Sequence, residues 1–398
     1  MRPAWPGGSV LEHPLRRALD ERYLKRALQL AERARGHTHP NPLVGAVVVK
    51  DGQIVGEGYH PRAGEPHAEV FALRQAGAQA RGATLYVSLE PCDHHGRTPP
   101  CSVALLEAGV GRVVVAVRDP NPEARGGLER LCSAGVEAEA GLLEAEARAQ
   151  NEVFFHALRQ QRPFVLWKAA LSLDGQVATR SGHAAWVSNP LSRRVAQGYR
   201  QWLPAVLVGA GTVLADDPQL TVREPDFRAF PQMLEPPSLR DPLKVVLDTE
   251  ARTPPTARLF APGPRCEPAR VAVLVGKGAP AARVRALEAR GAVVAELPRA
   301  EGRVSLEAAL AWLYAQGIDG VLLEGGPTLA GALLRRGWVD KVALFQAPKL
   351  VGEGRGALLG FAAGRMDQAL GLETRRLELL EGDIWLEAYP VQTSSLRG

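Results

Sequence analysis

One histidine, one glutamate and two cysteines constrain this chain more than any other feature: His67-Ala68-Glu69, then Pro91-Cys92, then Cys101 beyond an eight-residue loop. One imidazole and two thiolates suit a catalytic Zn²⁺, because three protein ligands leave the fourth tetrahedral position open for water. To meet at one ion, the segment bearing His67 must lie beside a strand–loop–helix junction bearing both cysteines. Glu69 stands two residues past the histidine, where it can handle a proton without binding the metal.

Local patterning supplies those elements. Residues 20–34 place Tyr23, Leu24, Ala27, Leu28 and Ala31 at the spacing of an amphipathic helix. The β-branched run 44–49 ends at Asp51-Gly52, a hairpin signal, and residues 54–59 return as a second strand. The sequence predicts a helix over 67–76, a strand over 85–89, a helix over 102–108 and a strand over 113–117. It also predicts one polar-faced helix over 142–159. A boundary at 160–163 separates a first domain, 1–161, from a second, 162–398. Strands are expected there at 164–170, 205–209, 245–248, 271–275, 320–324 and 341–347. The proline-rich span 225–242 and the glycine cluster 352–356 read as loops. Alternating helices and strands in both halves make the fold class α/β.

Composition narrows the function. At 46% apolar and 23% charged, the 398 residues are those of a soluble globular protein. No apolar run approaches the ~18 residues of a membrane span. Residues 1–14 lack a signal-peptide core and read as a frayed extension, so a cytoplasmic location is expected. The net charge of +5 comes without a dense Lys/Arg run or an aromatic–basic stripe. That disfavours nucleic acid and suits a phosphorylated small molecule. Of the four cysteines, Cys92 and Cys101 are taken for metal; Cys132 and Cys266 are expected to be buried, reduced thiols.

The His-x-Glu … Pro-Cys arrangement is that of zinc-dependent base deaminases, in which activated water attacks a ring carbon bearing an amino group. Their commonest cysteine spacing is C-x-x-C, whereas here a polar, basic loop intervenes. Two competing readings are a nucleic-acid base deaminase carrying a foreign C-terminal domain, and a structural zinc closed by His60, His94 or His95. The second half lacks a strand-linked Gly-x-Gly-x-x-Gly, so a doubly wound dinucleotide site is unsupported. Gly325-Gly326-Pro327-Thr328, between strand 320–324 and a helix over 329–336, is either an anion site at a helix N-terminus or a tight turn.

Longer segments carry a resemblance. Asn41-Pro42-Leu43-Val44-Gly45-Ala46, Pro66-His67-Ala68-Glu69, Glu90-Pro91-Cys92 and Gly96-Arg97-Thr98-Pro99-Pro100-Cys101 resemble the deaminase half of the bifunctional riboflavin-biosynthesis deaminase/reductases. Lys168 to Gly175, Val208-Gly209, Thr212-Val213-Leu214, Asp216-Asp217-Pro218, 220–223 and Glu324 to Leu329 resemble the reductase half. The resemblance covers about residues 20–390 and leaves 1–19 as a foreign extension. It implies a cytidine-deaminase-like α/β/α domain followed by a dihydrofolate-reductase-like α/β domain.

By that resemblance His67, Cys92 and Cys101 bind zinc, Glu69 shuttles the proton, and Asn41, His60 and His94 contact the pyrimidine or its phosphoribosyl arm. Ala170, Trp186, Thr212, Asp216, Thr249 and the run Gly326, Pro327, Thr328, Leu329, Ala330, Gly331 and Ala332 would face NADPH. Ala184, Arg200, Leu220, Arg223 and Glu324 would face substrate; Ala184 replaces a frequent serine, with His183 as an alternative donor. Two arginines suit a ribose phosphate. The implied reactions are hydrolytic deamination of 2,5-diamino-6-(5-phosphoribosylamino)pyrimidin-4-one by zinc-generated hydroxide, then NADPH-dependent reduction of the ribosyl group of 5-amino-6-(5-phosphoribosylamino)uracil to ribityl. Lys168 and Asp174 are proton-donor candidates by position only, and assembly as a homo-oligomer is left open.

Overall fold

The computed structural model describes residues 12–94, 99–230, 232–233, 237–265 and 267–391. The described residues form two compact units, those within 1–158 and 230–237, and those within 159–229 and 238–398.

The first unit runs α1 (Glu12–Glu32), β1 (Gly45–Lys50), β2 (Gln53–Tyr59), α2 (Ala68–Ala76), β3 (Thr84–Leu89), α3 (Cys101–Ala108), β4 (Arg112–Val117), α4 (Gly127–Ser133), β5 (Glu137–Ala140), α5 (Glu144–Gln150) and α6 (Glu152–Gln160). Its sheet has the order β2-β1-β3-β4-β5. β1 is antiparallel to β2 and β3, whereas β3, β4 and β5 are parallel. β3 and β4 are buried along almost their whole length, which explains their unbroken apolar runs. The hairpin turns on Asp51 and Gly52, both at positive φ (50° and 75°), as the Asp-Gly pair requires.

Close packing sets α2 against this sheet. A Cβ on Gly58 would lie 2.2 Å from the Ala68 carbonyl oxygen, and one on Gly56 would lie 2.1 Å from that of Ala72. Glycines on β2 and alanines along one face of α2 thus let helix and strand backbones approach to contact. That approach fixes the start of α2, where His67 and Glu69 sit.

Two sequence expectations change here. α1 begins at Glu12 rather than near residue 20. Its added turns expose Leu15 and Leu19 (70% and 48%), so no apolar stripe marks them. Residues 1–11 lie outside the described residues. The single helix over 142–159 is two helices, broken at Asn151. The buried Asn151 amide accepts from Leu43 N (2.7 Å) and donates to Leu43 O (2.9 Å), a pairing that a local helical pattern does not reveal.

Cys132 is exposed, not buried, because Leu128 and Leu131 take the inner face of α4 and the next residue points outward. Cys266 lies outside the described residues.

The second unit runs β6 (Phe164–Ser172), β7 (Gln176–Thr179), α7 (Pro190–Trp202), β8 (Ala205–Gly209), α8 (Ala210–Asp216), β9 (Leu243–Leu247), β10 (Val271–Gly276), α9 (Ala281–Glu288), β11 (Val293–Leu297), β12 (Arg299–Ala300), β13 (Arg303–Val304), α10 (Leu306–Ala315), β14 (Gly320–Leu323), α11 (Pro327–Arg335), β15 (Lys341–Ala347), β16 (Gly354–Gly356), β17 (Gly371–Leu380) and β18 (Asp383–Val391). Nine strands form one sheet, ordered β11-β10-β9-β8-β14-β6-β15-β18-β17. It is parallel from β11 to β15 and closes with antiparallel β18 and β17.

α7 begins at Asn189, whose side chain accepts from Ser192 N, with Pro190 in the first turn. Its inner face lays Tyr199 and Trp202 on the sheet, beside Phe345 and Trp385 stacked with centroids 6.1 Å apart. The glycine cluster expected as a loop contributes β16, which pairs antiparallel with β7. The described part of 225–242 holds no helix or strand. Among the described residues no helix is long and apolar enough to cross a membrane.

Candidate functional site

In the first unit the site forms at the C-terminal end of β3. His67 precedes the first turn of α2, Cys92 follows β3 by three residues, and Cys101 opens α3. His67 Nδ1 lies 3.3 Å from Cys101 Sγ and 3.5 Å from Cys92 Sγ, and all three donor atoms lie within 4.8 Å of one another. Two sulfurs and one imidazole nitrogen at these separations fit a single tetrahedral ion. Glu69 is 2% exposed, and its Oε2 has no hydrogen-bond partner. A buried, unpartnered carboxylate oxygen two residues from His67 is a group that a water bound at this centre would satisfy.

Electrostatics favour metal uptake in a defined proton state. A hydrogen bond from Cys101, and then His67, overcomes burial and pulls the Cys92 thiol down to about 4. Cys92 in turn raises His67 to about 9, and its hydrogen bond together with burial pushes Cys101 far up. Burial raises Glu69 to about 7. Without metal, then, Cys92 is a thiolate, while His67 and Cys101 hold their protons at neutral pH. Zinc needs a neutral imidazole and thiolates. Binding to the metal-stripped protein at pH 7.5 should therefore release about two protons, and the rise of affinity with pH should become shallower above about 9, where His67 is already neutral and only the Cys101 proton is displaced. Titration calorimetry in buffers of different ionisation enthalpy measures this; release near zero would contradict the assignment of proton states.

Around the ligands, Asn41 and His60 are adjacent, with Asn41 Nδ2 3.1 Å from His60 Nε2. His60 is 2% exposed, not a solvated loop residue, and its Nδ1 lies 3.1 Å from Pro66 O. If Nδ1–H donates to that carbonyl, Nε2 accepts from the Asn41 amide, and His60 stands behind Asn41. With both ring nitrogens engaged, it is not a fourth metal ligand. His94 is exposed on the loop after Cys92, while His95 and the rest of 95–98 lie outside the described residues.

Sequence reasoning missed Glu90. Its buried carboxylate accepts from the backbone N–H of Asp119, Gly126 and Leu128, each at 3.2 Å. It ties the loop after β4 to the Cys92 segment; a glutamate directly before Pro-Cys was the available signal.

In the second unit Arg200 and Glu324 form a half-buried bidentate pair (2.6 and 2.9 Å), with Lys168 Nζ 3.5 Å from the same carboxylate. Burial opposes ionisation of Glu324, but Arg200 and Lys168 prevail and hold it at about 2. Arg200 also donates to Thr221 O (2.9 Å), so its guanidinium is committed to the protein. Arg223 is exposed, and burial, followed by the charges of Arg200, Arg258 and Arg193, lowers its pKa. Leu220 is buried at a left-handed φ of 55°, an uncommon state for a branched residue.

Gly326 caps α11, and a Cβ there would lie 3.7 Å from Thr212 Oγ1, so these two expected cofactor residues meet. Pro327, Thr328, Leu329 and Ala332 are at least partly accessible, but Ala330 and Gly331 face the core. A Cβ on Gly331 would lie 2.1 Å from Leu359 O. Those two expected cofactor positions therefore pack the helix instead of lining a cleft.

Ala170 is half-buried on β6, and Asp216 is exposed at the end of α8. Thr249 Oγ1 accepts from Val304 N (3.1 Å). Ala184 and Trp186 lie on an exposed loop, with the Arg193 guanidinium 4.5 Å over the Trp186 ring. Asp174 accepts from Ser172, Val351 and Gly352, a structural role. Of the two proton-donor candidates, Lys168 has its charge beside Glu324.

A deaminase-like α/β fold with a His/Cys/Cys centre suited to zinc, joined to a second α/β domain built on a nine-stranded sheet, is the class these features define. Residues 17–117 match the cytidine and deoxycytidylate deaminase zinc-binding region, and residues 163–383 match the RibD C-terminal domain. The chain is 46% identical to the riboflavin biosynthesis protein RibD of Escherichia coli (strain K12), over 84% of this chain and 89% of that one. It is 42% identical to RibD of Aquifex aeolicus (strain VF5), over 92% and 98%. The solved structure of Acinetobacter baumannii RibD superposes with a TM-score of 0.82 at 39% identity, covering 94% of this chain and all of that one. A Thermotoga maritima structure described as a diaminohydroxyphosphoribosylaminopyrimidine deaminase/5-amino-6-(5-phosphoribosylamino)uracil reductase gives 0.81 at 36% identity, with coverage of 94% and 100%. The chain belongs to the RibD family: it is a bifunctional enzyme of riboflavin biosynthesis with a deaminase and a reductase domain.

Proposed function

We propose that the chain hydrolytically deaminates 2,5-diamino-6-(5-phosphoribosylamino)pyrimidin-4-one, then reduces the ribosyl group of the resulting 5-amino-6-(5-phosphoribosylamino)uracil to ribityl with NADPH. The convergence of His67, Cys92 and Cys101 beside the buried Glu69 carries this reading. Zinc, when held by those three side chains, supplies a Lewis acid that makes water a competent nucleophile near neutral pH.

Glu69, raised to about 7 by burial, is poised to pass one proton from that water to the ring nitrogen, and then a second, from the hydroxyl added to the ring carbon, to the amine that leaves as ammonia. His60 holds the Asn41 amide, and in this reading Asn41 orients the pyrimidine.

NADPH, when bound, would supply the hydride for reduction at C1′. The backbone N–H groups opening α11, with Thr212 alongside, suit its phosphates. Arg223 is an exposed arginine available for the ribose phosphate, with Arg200 and Glu324 near enough to act on its charge. No nucleic acid or membrane partner enters this reading, and a cytoplasmic location belongs to it. Homo-oligomer formation is part of the same proposal; light scattering on the full chain measures it, and a single-chain mass would remove it.

Metal content and ammonia release, with and without NADPH, test the assignment. About one zinc per chain, ammonia without NADPH, and NADPH oxidation only on the deaminated product are expected. Zinc without ammonia release would make the centre structural and remove the deaminase reading.

A further inference from the structure

The loop carrying Leu220 and Arg223 in the second unit is gripped at one buried residue, Val222, by a pair of side chains remote in sequence. Asp241 Oδ1 accepts from Val222 N (2.8 Å), while Arg265 donates through Nη1 to Val222 O (3.1 Å) and through Nη2 to Asp241 Oδ1 (2.6 Å). One ion pair thereby satisfies both backbone polar groups of a single residue. The fit is tight, since a Cβ on Gly263 would lie 2.1 Å from Asp241 Oδ2. Flanking contacts continue the same hold: Arg200 donates to Thr221 O, and Gln197 Oε1 accepts from Arg223 N (2.6 Å).

A clamp at Val222 matters because the segment is strained. Leu220 sits at φ 55°, a conformation that persists only where its surroundings over-determine it. Arg223 is one residue beyond the clamp, and its side chain is exposed. Fixing the Val222 peptide groups therefore fixes where the Arg223 guanidinium starts, among arginines that repel it.

We infer that Asp241 and Arg265 are positioning residues that set substrate affinity in the reductase by presenting Arg223 to the phosphate of its substrate. This rests on the proposed role of Arg223. Neither residue would touch the reacting atoms, so the hydride step itself is untouched.

The test is reductase kinetics on the full zinc-loaded chain with the deaminated phosphoribosyl substrate, for Arg265→Met, Arg265→Lys, Gly263→Ala, Arg223→Ala and the double variant Arg223→Ala/Arg265→Met. Arg265→Met should raise KM for that substrate about tenfold, the scale of one lost charge-assisted contact. kcat, KM for NADPH and deaminase activity should stay within about twofold. Arg265→Lys should recover part of the affinity. Gly263→Ala should reproduce the loss without removing a charge. The double variant should be no worse than Arg223→Ala alone, because the clamp acts through that arginine.

If Arg223→Ala raises KM but Arg265→Met and Gly263→Ala do not, the positioning inference fails and the reading of Arg223 stands. If Arg223→Ala leaves KM unchanged, the reading of Arg223 fails. Additive losses in the double variant, or equal falls in kcat and both affinities, would mean general support of the fold and would overturn the inference.

Discussion

Replacing Glu69 by glutamine should slow deamination by roughly 10²–10⁴-fold, the usual contribution of a positioned acid–base group. The bound zinc and the reductase step should remain in place. Glutamine keeps the shape and can still hydrogen-bond, but it cannot carry a proton. The carboxyl is buried, two residues from His67, and outside the donor triangle. Metal analysis of the variant separates two outcomes. Full zinc with lost activity supports the shuttle, whereas loss of both would make Glu69 part of the metal scaffold.

The second large effect should come from Arg200→Ala. Its partner Glu324 is half-buried, with its side chain 10% exposed, and loses a bidentate ion pair, leaving only Lys168 at 3.5 Å. Breaking a fully buried pair from one side costs about 3–5 kcal/mol, which sets the upper bound for this part-buried one. Denaturant unfolding should therefore lose up to that amount from the second unit, with reduction abolished and deamination kept. Arg223→Ala, at an exposed guanidinium, should leave unfolding unchanged; no shift in either variant would contradict the burial argument.

The pH dependence has a definite sign. Glu324 is depressed to about 2 from 4.5, so its contribution is fully present above about 4.5 and lost as pH falls through about 2. Without Arg200 the carboxyl should titrate higher, and acid unfolding should begin at higher pH.

The metal centre and most of the strands were legible in the sequence because each is written locally. His67, Glu69, Cys92 and Cys101 stand at short fixed spacings, and parallel strands buried on both faces read as apolar runs. What escaped depends on residues distant in the chain. The burial of His60 follows from its seat between Asn41 and Pro66. The core-facing side of Gly331 is set by Leu359, and the commitment of Arg200 by Glu324 and Thr221. Glu90 gave no sign of its three amide partners, which arrive on a loop about thirty or more positions later. Exposed Leu15 and Leu19 concealed the first turns of α1, since a helix with no inward stripe there has no period to detect.

The break at Asn151 bears on how this enzyme can be dissected. The matching deaminase region ends at residue 117, and a fragment stopping at Ala140 would still contain all five strands, the three donor side chains and Glu69. It would lack the one amide that ties down both polar groups of Leu43, two positions from Asn41. A piece cut there could keep its metal yet leave the loop meant to grasp the pyrimidine untethered. The working boundary of the deaminase is thus set by a stitch from its last helices back to its first loop, well beyond the edge of its sheet.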